Sequence, residues 1–307
     1  MLVGLVANPT SSKDIRRLTT LARVVDIEEK ANLVARMLAG IGSENGIHVL
    51  AVDDPSGLVR RGVALAGSAG PPVDYLSLEV EGSEADTRRA AAELADMGAA
   101  ALVTVGGDGT VRAAAEGWPR APLVPLPAGT NNAFTRIDEP SVVGLALALA
   151  LTGENDAFAP TTALAVETTR GRALAVVDAV VVRDRWVGAG AIWESSQLVK
   201  GLVTSSRRTA VGISSVSAAL GPLEQGYARL LRFGGDHTVR AVFGPGLVLD
   251  VPVIDYEDLP LGAEHALGED SGLVALDGER RLPAAGGNVQ VVAGPRILDL
   301  ERALQVV

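Results

Sequence analysis

Up to about residue 153 the chain alternates short apolar runs with longer stretches whose apolar positions recur at helical spacing. A parallel sheet covered by helices requires this pattern. The apolar runs 2–7, 47–52, 73–80, 100–105 and 122–126 are the predicted strands. Helix starts are legible between them: Asp26 can cap a helix with Glu29 three residues on, and Ser83 can do so with Asp86. Gly40 and Gly98 read as helix stops. The densest apolar run, 142–151, is helix-sized and ends at Gly153, well short of the ~20 residues that span a bilayer. After Asn155 the pattern changes to β-branched alternation, over 161–169, 173–182, 239–243, 247–254, 272–275 and 289–292, which predicts a second, mostly β region. The closing 297–304 is short, amphipathic and suited to docking back on the first region. The expected organisation is an α/β domain over 1–153, with 295–307 returning to it, and a β-rich domain over 154–294.

Composition narrows the class. With 307 residues, 48% hydrophobic and 21% charged, the chain has the make-up of an ordinary globular protein of one or two domains, which argues against disorder or a fibrous architecture. Lys and Arg total 27 against 37 Asp and Glu, a formal charge of -10, so a nucleic acid polymer is a poor partner. There is no Cys, which removes disulfides, zinc-thiolate sites, iron-sulfur clusters and thiol nucleophiles together. The start reaches Asn8-Pro9 after one strand-length apolar run and has no basic leader, so the cytoplasm is the expected compartment. The acidic excess over 250–281 and the basic excess over 183–232 read as solvated surface.

The strongest chemical feature is Thr104-Val105-Gly106-Gly107-Asp108-Gly109-Thr110, where a buried strand ends and a helical run begins. Glycines permit a tight turn and close approach to a ligand, and the first N–H groups of the following helix point at an anion, so this is a candidate phosphate site. A carboxylate beside phosphate is repulsive unless it organises Mg²⁺, directly or through water, or takes a proton from an attacking hydroxyl. Asp108 is therefore the candidate catalytic residue. A bare helix N-cap is the structural alternative. A second loop, Leu126-Pro127-Ala128-Gly129-Thr130-Asn131-Asn132-Ala133-Phe134, again follows a strand and offers a glycine, a hydroxyl and two amides to a nucleotide. Turn capping is the alternative for either Asn. Far downstream, Asp277-Gly278-Glu279 follows a strand; alone, this would be an ordinary hairpin turn.

In this order and spacing the three motifs resemble those of the NAD kinase and diacylglycerol kinase superfamily: a Gly-Gly-Asp-Gly-Thr loop at 106–110, a Gly-Thr-Asn loop at 129–132 and a distal Asp-Gly-Glu at 277–279. The opening 7–18, which starts Ala7-Asn8-Pro9, is similar to that of the ATP-NAD kinase-like group that includes AcoX, the protein X of acetoin catabolism. The resemblance implies a Rossmann-like parallel α/β domain, a C-terminal β-sandwich and a site in the cleft between them. It further implies ATP as donor, Mg²⁺ as cofactor, a small-molecule hydroxyl acceptor and a homodimer or higher homo-oligomer. In it, Asp108 is the base or metal organiser. Gly106, Gly107, Gly109, Thr110, Gly129, Thr130, Asn131 and Asn132 hold the nucleotide together with Asn8 and Glu279. NAD kinases carry an Asn-Glu pair where this chain reads Val176-Val177-Asp178-Ala179, which puts Asp178 forward as an acceptor contact and makes the AcoX group the nearest fit.

Other chemistries lack their marks. There is no P-loop, dinucleotide fingerprint, zincin helix or nucleophile elbow, and the three histidines are scattered. The pairs Arg16/Arg17 and Arg207/Arg208 are second-rank candidates for an anionic substrate. The leading expectation is a Mg²⁺-dependent kinase acting on a small hydroxyl compound. The alternatives are an authentic NAD kinase, a lipid kinase of the diacylglycerol type and a non-catalytic nucleotide-binding regulator.

Overall fold

The computed structural model describes residues 1–12, 20–130, 132–154, 156–183, 194–268, 272–278 and 280–305. The five apolar runs of the first half form strands β1 (Leu2–Ala7), β2 (His48–Val52), β3 (Val73–Leu76), β4 (Ala101–Gly106) and β5 (Pro122–Pro127). Helices α1 (Ile27–Ile41), α2 (Leu58–Ala66), α3 (Glu84–Asp96), α4 (Asp108–Gly117) and α5 (Pro140–Thr152) intervene. The strands are parallel in the order β3-β2-β1-β4-β5. Side chains alternate across the sheet: Val3, Leu5 and Ala7 pack towards α1, α2 and α5, and Val6 packs towards α3 and α4. The chain winds one way from β1 to β3 and then returns to place β4 on the other side of β1. In such sheets the carboxyl ends of the two central strands open a crevice.

The helix starts follow the sequence. The Asp26 carboxylate accepts from Glu29 N at 2.8 Å, and Ser83 with Asp86 forms a reciprocal capping box. Gly98 lies just past α3 at φ +76, the left-handed stop expected of it. Gly40 is different, because α1 runs through it. A Cβ on Gly40 would lie 2.2 Å from Ser141 O, and one on Gly144 would lie 2.1 Å from Met37 O. These two glycines let α1 and α5 cross backbone to backbone, so Gly40 is a packing position and Gly42 is the cap.

The sheet continues past residue 153. The second half contributes β6 (Phe158–Thr168), β7 (Gly171–Ala175), β8 (Asp178–Val182), β9 (Leu198–Val203), α6 (Ile213–Ala219), β10 (Tyr227–Gly244), β11 (Leu247–Pro260), β12 (Glu264–Gly268), β13 (Leu273–Leu276), β14 (Arg280–Pro283), β15 (Gly287–Leu298) and α7 (Leu300–Leu304). Strand β15 adds in parallel to β5; β6 then pairs with β15 and β7 with β6, while β12 also joins β15. A second, antiparallel sheet has the order β11-β10-β9-β8-β13-β14. The two sheets face each other through Leu164, Val166 and Val291 on one side and Val181, Leu230 and Val274 on the other. The outer face of the second sheet has its own core with α6, built on Val182, Phe233, Phe243, Ile213 and Val216. The fold is thus a parallel α/β region joined to an antiparallel sandwich, with one sheet running through both.

The predicted strand 173–182 is broken at Val176 and Val177, where the chain leaves the first sheet for the second. At the end of the chain Leu300 and Leu304 pack on the core of the α/β region, and Asp299 caps α7 by accepting from Arg302 N at 3.1 Å. Among the described residues no helix is long and apolar enough to cross a membrane.

Candidate active site

Both glycine loops lie at the crevice. Strand β4 ends at Gly106, Gly107 is the helix N-cap, and Asp108, Gly109 and Thr110 form the first turn of α4. Two of the glycines have a steric reason. A Cβ on Gly106 would fall 2.3 Å from Thr110 Oγ1, and one on Gly129 would fall 2.5 Å from Gly107 Cα, so the two loops touch backbone to backbone. Asn8, at the end of β1, is the third part. Its Nδ2 donates to Thr110 Oγ1 at 3.1 Å, while its Oδ1 accepts from Thr10 N at 2.9 Å, Thr10 Oγ1 at 2.8 Å and Ser11 N at 3.1 Å. The Ser11 hydroxyl donates to the carbonyls of Asn8 and Ala128, each at 3.0 Å, and so ties this turn to the loop after β5.

Two cavities flank this junction. The larger, of about 590 Å³, is walled by Asn8, Gly107, Gly109, Thr110 and Gly129. Its lining combines the hydroxyls, amides and positive end of the α4 dipole of a phosphate cradle with the charged residues Asp54, Glu84, Asp86 and Arg112. The smaller, of about 40 Å³, is lined by Asp108, Asp178 and Asp277 with Val211, Ile213 and Phe243. Thr130 lines both. It is 6% exposed, and among the described residues its Oγ1 has no hydrogen-bond partner. Buried hydroxyls are rarely left unpaired, so this one points to a group that arrives with a ligand.

Asp108 is 4% exposed, and its carboxylate accepts from Ala133 N at 2.8 Å and Phe134 N at 3.1 Å. The group that faces the small cavity therefore also clamps the second loop. Arg207 reaches the same loop from beyond β9, donating to the carbonyls of Ala133 and Thr135. Burial pushes its guanidinium below the ordinary arginine value, and the nearby Asp108 carboxylate partly offsets this. Arg208 is exposed beside it. Asn132 closes its own turn, accepting from Gly129 N and donating to Gly129 O, both at 3.1 Å. Asn131, Glu279, Arg16 and Arg17 lie outside the described residues.

The distal motif joins the two sheets. Asp277, at φ +49, accepts from Val177 N at 2.8 Å, Val176 N at 3.0 Å and Asp178 N at 3.2 Å, which are the N–H groups freed where the chain changes sheet. Its carboxylate is wholly buried; desolvation pushes its pKa above the ordinary carboxylate value, while Arg112 and the three N–H groups pull it back. Arg112 of α4, 2% exposed, donates to Leu276 O at 3.3 Å and Glu84 at 3.1 Å and lies 3.5 Å from the Asp277 carboxylate. It links the helix of the first motif to the strand of the third.

These residues fit a nucleotide's phosphates. Among the described residues no three Asp, Glu, His or Cys side chains gather at metal-ligand spacing. Mg²⁺ held mainly by water and substrate phosphates needs only one or two carboxylates, and Asp108 with Asp178 supplies that number on one cavity wall.

A parallel sheet with glycine loops at its switch point, joined to an antiparallel sandwich, defines a protein of NAD kinase-like build. Residues 3–154 match the family model of the ATP-NAD kinase N-terminal domain, and residues 162–294 match that of the acetoin catabolism protein X C-terminal domain. The acetoin catabolism protein X of Cupriavidus necator is 37% identical over 301 residues, covering 92% of this chain and 84% of that protein. The chain belongs to the acetoin catabolism protein X family. Among solved structures, a Bacillus anthracis protein taken to be a diacylglycerol kinase aligns over 96% of each chain at 12% identity and a TM-score of 0.49. Yeast NADH kinase, solved with NADH, aligns over 99% of this chain and 86% of its own at 13% identity and a TM-score of 0.45.

Two charged residues at the site were not singled out from the sequence. Arg112 stands in the small apolar run Val111–Ala115, and Lys30 falls on the apolar stripe of α1 with Leu33, Val34 and Met37. A charge on the core face of a helix was the available signal; its partners, distant in sequence, were not.

Proposed function

We propose that the protein is a kinase that transfers the γ-phosphoryl group of ATP to a hydroxyl of a small molecule with Mg²⁺ present. The observation that carries this reading is the unpartnered, buried hydroxyl of Thr130 at the meeting point of the cavity walled by the glycine loops and the one lined by Asp108 and Asp178. In this reading Asn8, Gly107, Gly109, Thr110 and Gly129 hold the triphosphate in the larger cavity, and Thr130 donates to the phosphoryl group in transit. Backbone N–H groups at the start of α4 stabilise charge spread over that group. The acceptor enters from the smaller cavity beside Asp178. Asp108 orients its hydroxyl and takes its proton as the new O–P bond forms and the bridging O–P bond of ATP breaks to release ADP. Asp108 would hold Mg²⁺ through water, and the ion would supply positive charge to offset the negative charge of the phosphates.

The test is mass spectrometry of a metabolite mixture, NAD included, incubated with ATP, Mg²⁺ and either the wild-type protein or Asp108→Asn. A phosphorylated product formed only by the wild type supports the kinase reading and names the acceptor. ATP bound with no acceptor phosphorylated would replace it with a nucleotide-binding regulator.

A further inference from the structure

Lys30 sits in the first turns of α1, is 1% exposed, and donates from its ammonium group to three carbonyls of one turn: Ser11 O at 2.7 Å, Pro9 O at 2.9 Å and Asn8 O at 3.2 Å. Burying an ammonium is costly unless it is hydrogen-bonded, and these three carbonyls supply such bonds from a single turn. The same turn carries Asn8, whose amide is bonded to Thr110, and Ser11, whose hydroxyl is bonded to Ala128. It closes at Ser12, a non-glycine residue held at φ +68 with its hydroxyl donating to Val25 O at 2.8 Å. A backbone held in the left-handed region is kept there by its surroundings, and Lys30 is the group that grips the turn from behind.

We propose that Lys30 is a positioning residue of the phosphate pocket: it draws three carbonyls of the 8–12 turn inward and so fixes the wall that faces the nucleotide. This rests on the reading of the larger cavity as the nucleotide site. The carbonyls turned towards the ammonium are withdrawn from the cavity, where they would repel phosphate, and Asn8 is left pointing at Thr110. Lys30 therefore acts on the phosphates and leaves the nucleoside untouched.

The experiment is calorimetric titration of wild type, Lys30→Met and Lys30→Gln with ATP, ADP, inorganic triphosphate and adenosine, with circular dichroism and thermal unfolding alongside. The expected result is a loss of at least tenfold in affinity for ATP and triphosphate, a smaller loss for ADP, and a change under twofold for adenosine, in variants that keep the wild-type spectrum. A purely structural role would weaken all four ligands alike. Equal loss for adenosine, unchanged ATP affinity, or failure of both variants to fold would each overturn the proposal and assign Lys30 to the core. Wild-type protein that binds neither ATP nor triphosphate would instead remove the nucleotide reading itself.

Discussion

The two cavities that meet at Thr130 are built in different ways. The 590 Å³ cavity is made by loops that follow β1, β2, β4 and β5 and by the segment that enters α3, so all of its parts come from the parallel α/β region. The 40 Å³ cavity draws its carboxylates and apolar side chains from segments spread between Thr20 and Gly278. The first is complete within the parallel α/β region; the second exists only once two sheets have packed. On the proposed reading, phosphate recognition is therefore the part of the site that a shared fold can carry from one protein to another, and acceptor choice is the part free to change.

Asp108 stands on the boundary, and its replacement is the severest way to break the contrast. Asp108→Asn is expected to lower turnover by about 10²- to 10⁴-fold, the range lost with a general base, while ATP affinity changes by less than about threefold. Initial rates and calorimetry on one preparation separate the two. Because an amide can accept from only one of Ala133 N and Phe134 N and turns its own N–H₂ towards the other, the melting temperature should fall as well. Full turnover in Asp108→Asn would leave Asp108 as a loop clamp alone.

Arg112 joins the walls of the two cavities, so Arg112→Met should damage both. Removing one partner from a buried ion pair costs about 3–5 kcal/mol, and urea unfolding should show a loss of that order. A loss below about 1 kcal/mol would mean that the contact to Asp277 contributes little and that the sheets are held by their apolar faces.

Charge sharpens the contrast further. Asn8→Asp keeps the acceptor for Thr10 N and Ser11 N, loses the donor to Thr110, and puts a negative charge beside Thr110 in the larger cavity. ATP affinity should drop tenfold or more, about 1.4 kcal/mol, with the melting temperature little changed. Asp178→Asn removes a charge from the other cavity, and its effect should fall on the acceptor's KM with ATP affinity unaltered. If both substitutions weakened ATP equally, the cavities would not divide the substrates between them.

The same division governs what the sequence could disclose. The five parallel strands, the caps at Asp26 and Ser83 and the two glycine loops were legible because each depends on residues within a few positions of one another. Gly40 misled as a helix stop because its reason lies on α5, at Gly144. The break at Val176 was hidden inside the run 173–182, whose one polar residue is Asp178, since the group that satisfies its N–H donors, Asp277, lies about a hundred residues away. Nor could composition reveal that β15 returns to β5 and carries the first sheet into the sandwich.

The finest test concerns Asp277, where burial and pairing compete on one carboxylate. Desolvation is the larger influence and raises its pKa above 3.8, against Arg112 and the N–H groups of Val176, Val177 and Asp178. A carboxyl whose folded pKa is raised binds its proton more tightly in the folded state, so its contribution is fullest below the unfolded value and is lost as pH rises through the folded one. Asp277→Asn abolishes that dependence and keeps one acceptor oxygen for the sheet crossing. The difference in unfolding free energy between wild type and Asp277→Asn should therefore be most favourable to the wild type at the acid end and shrink as pH rises from below 3.8 towards neutrality. Urea unfolding of the pair across that range measures it, with all other titrating groups common to both proteins. A difference that instead grew with pH would put pairing above desolvation, making Asp277 an anionic anchor gripped by Arg112 and leaving the small cavity with a fixed negative charge at its back wall.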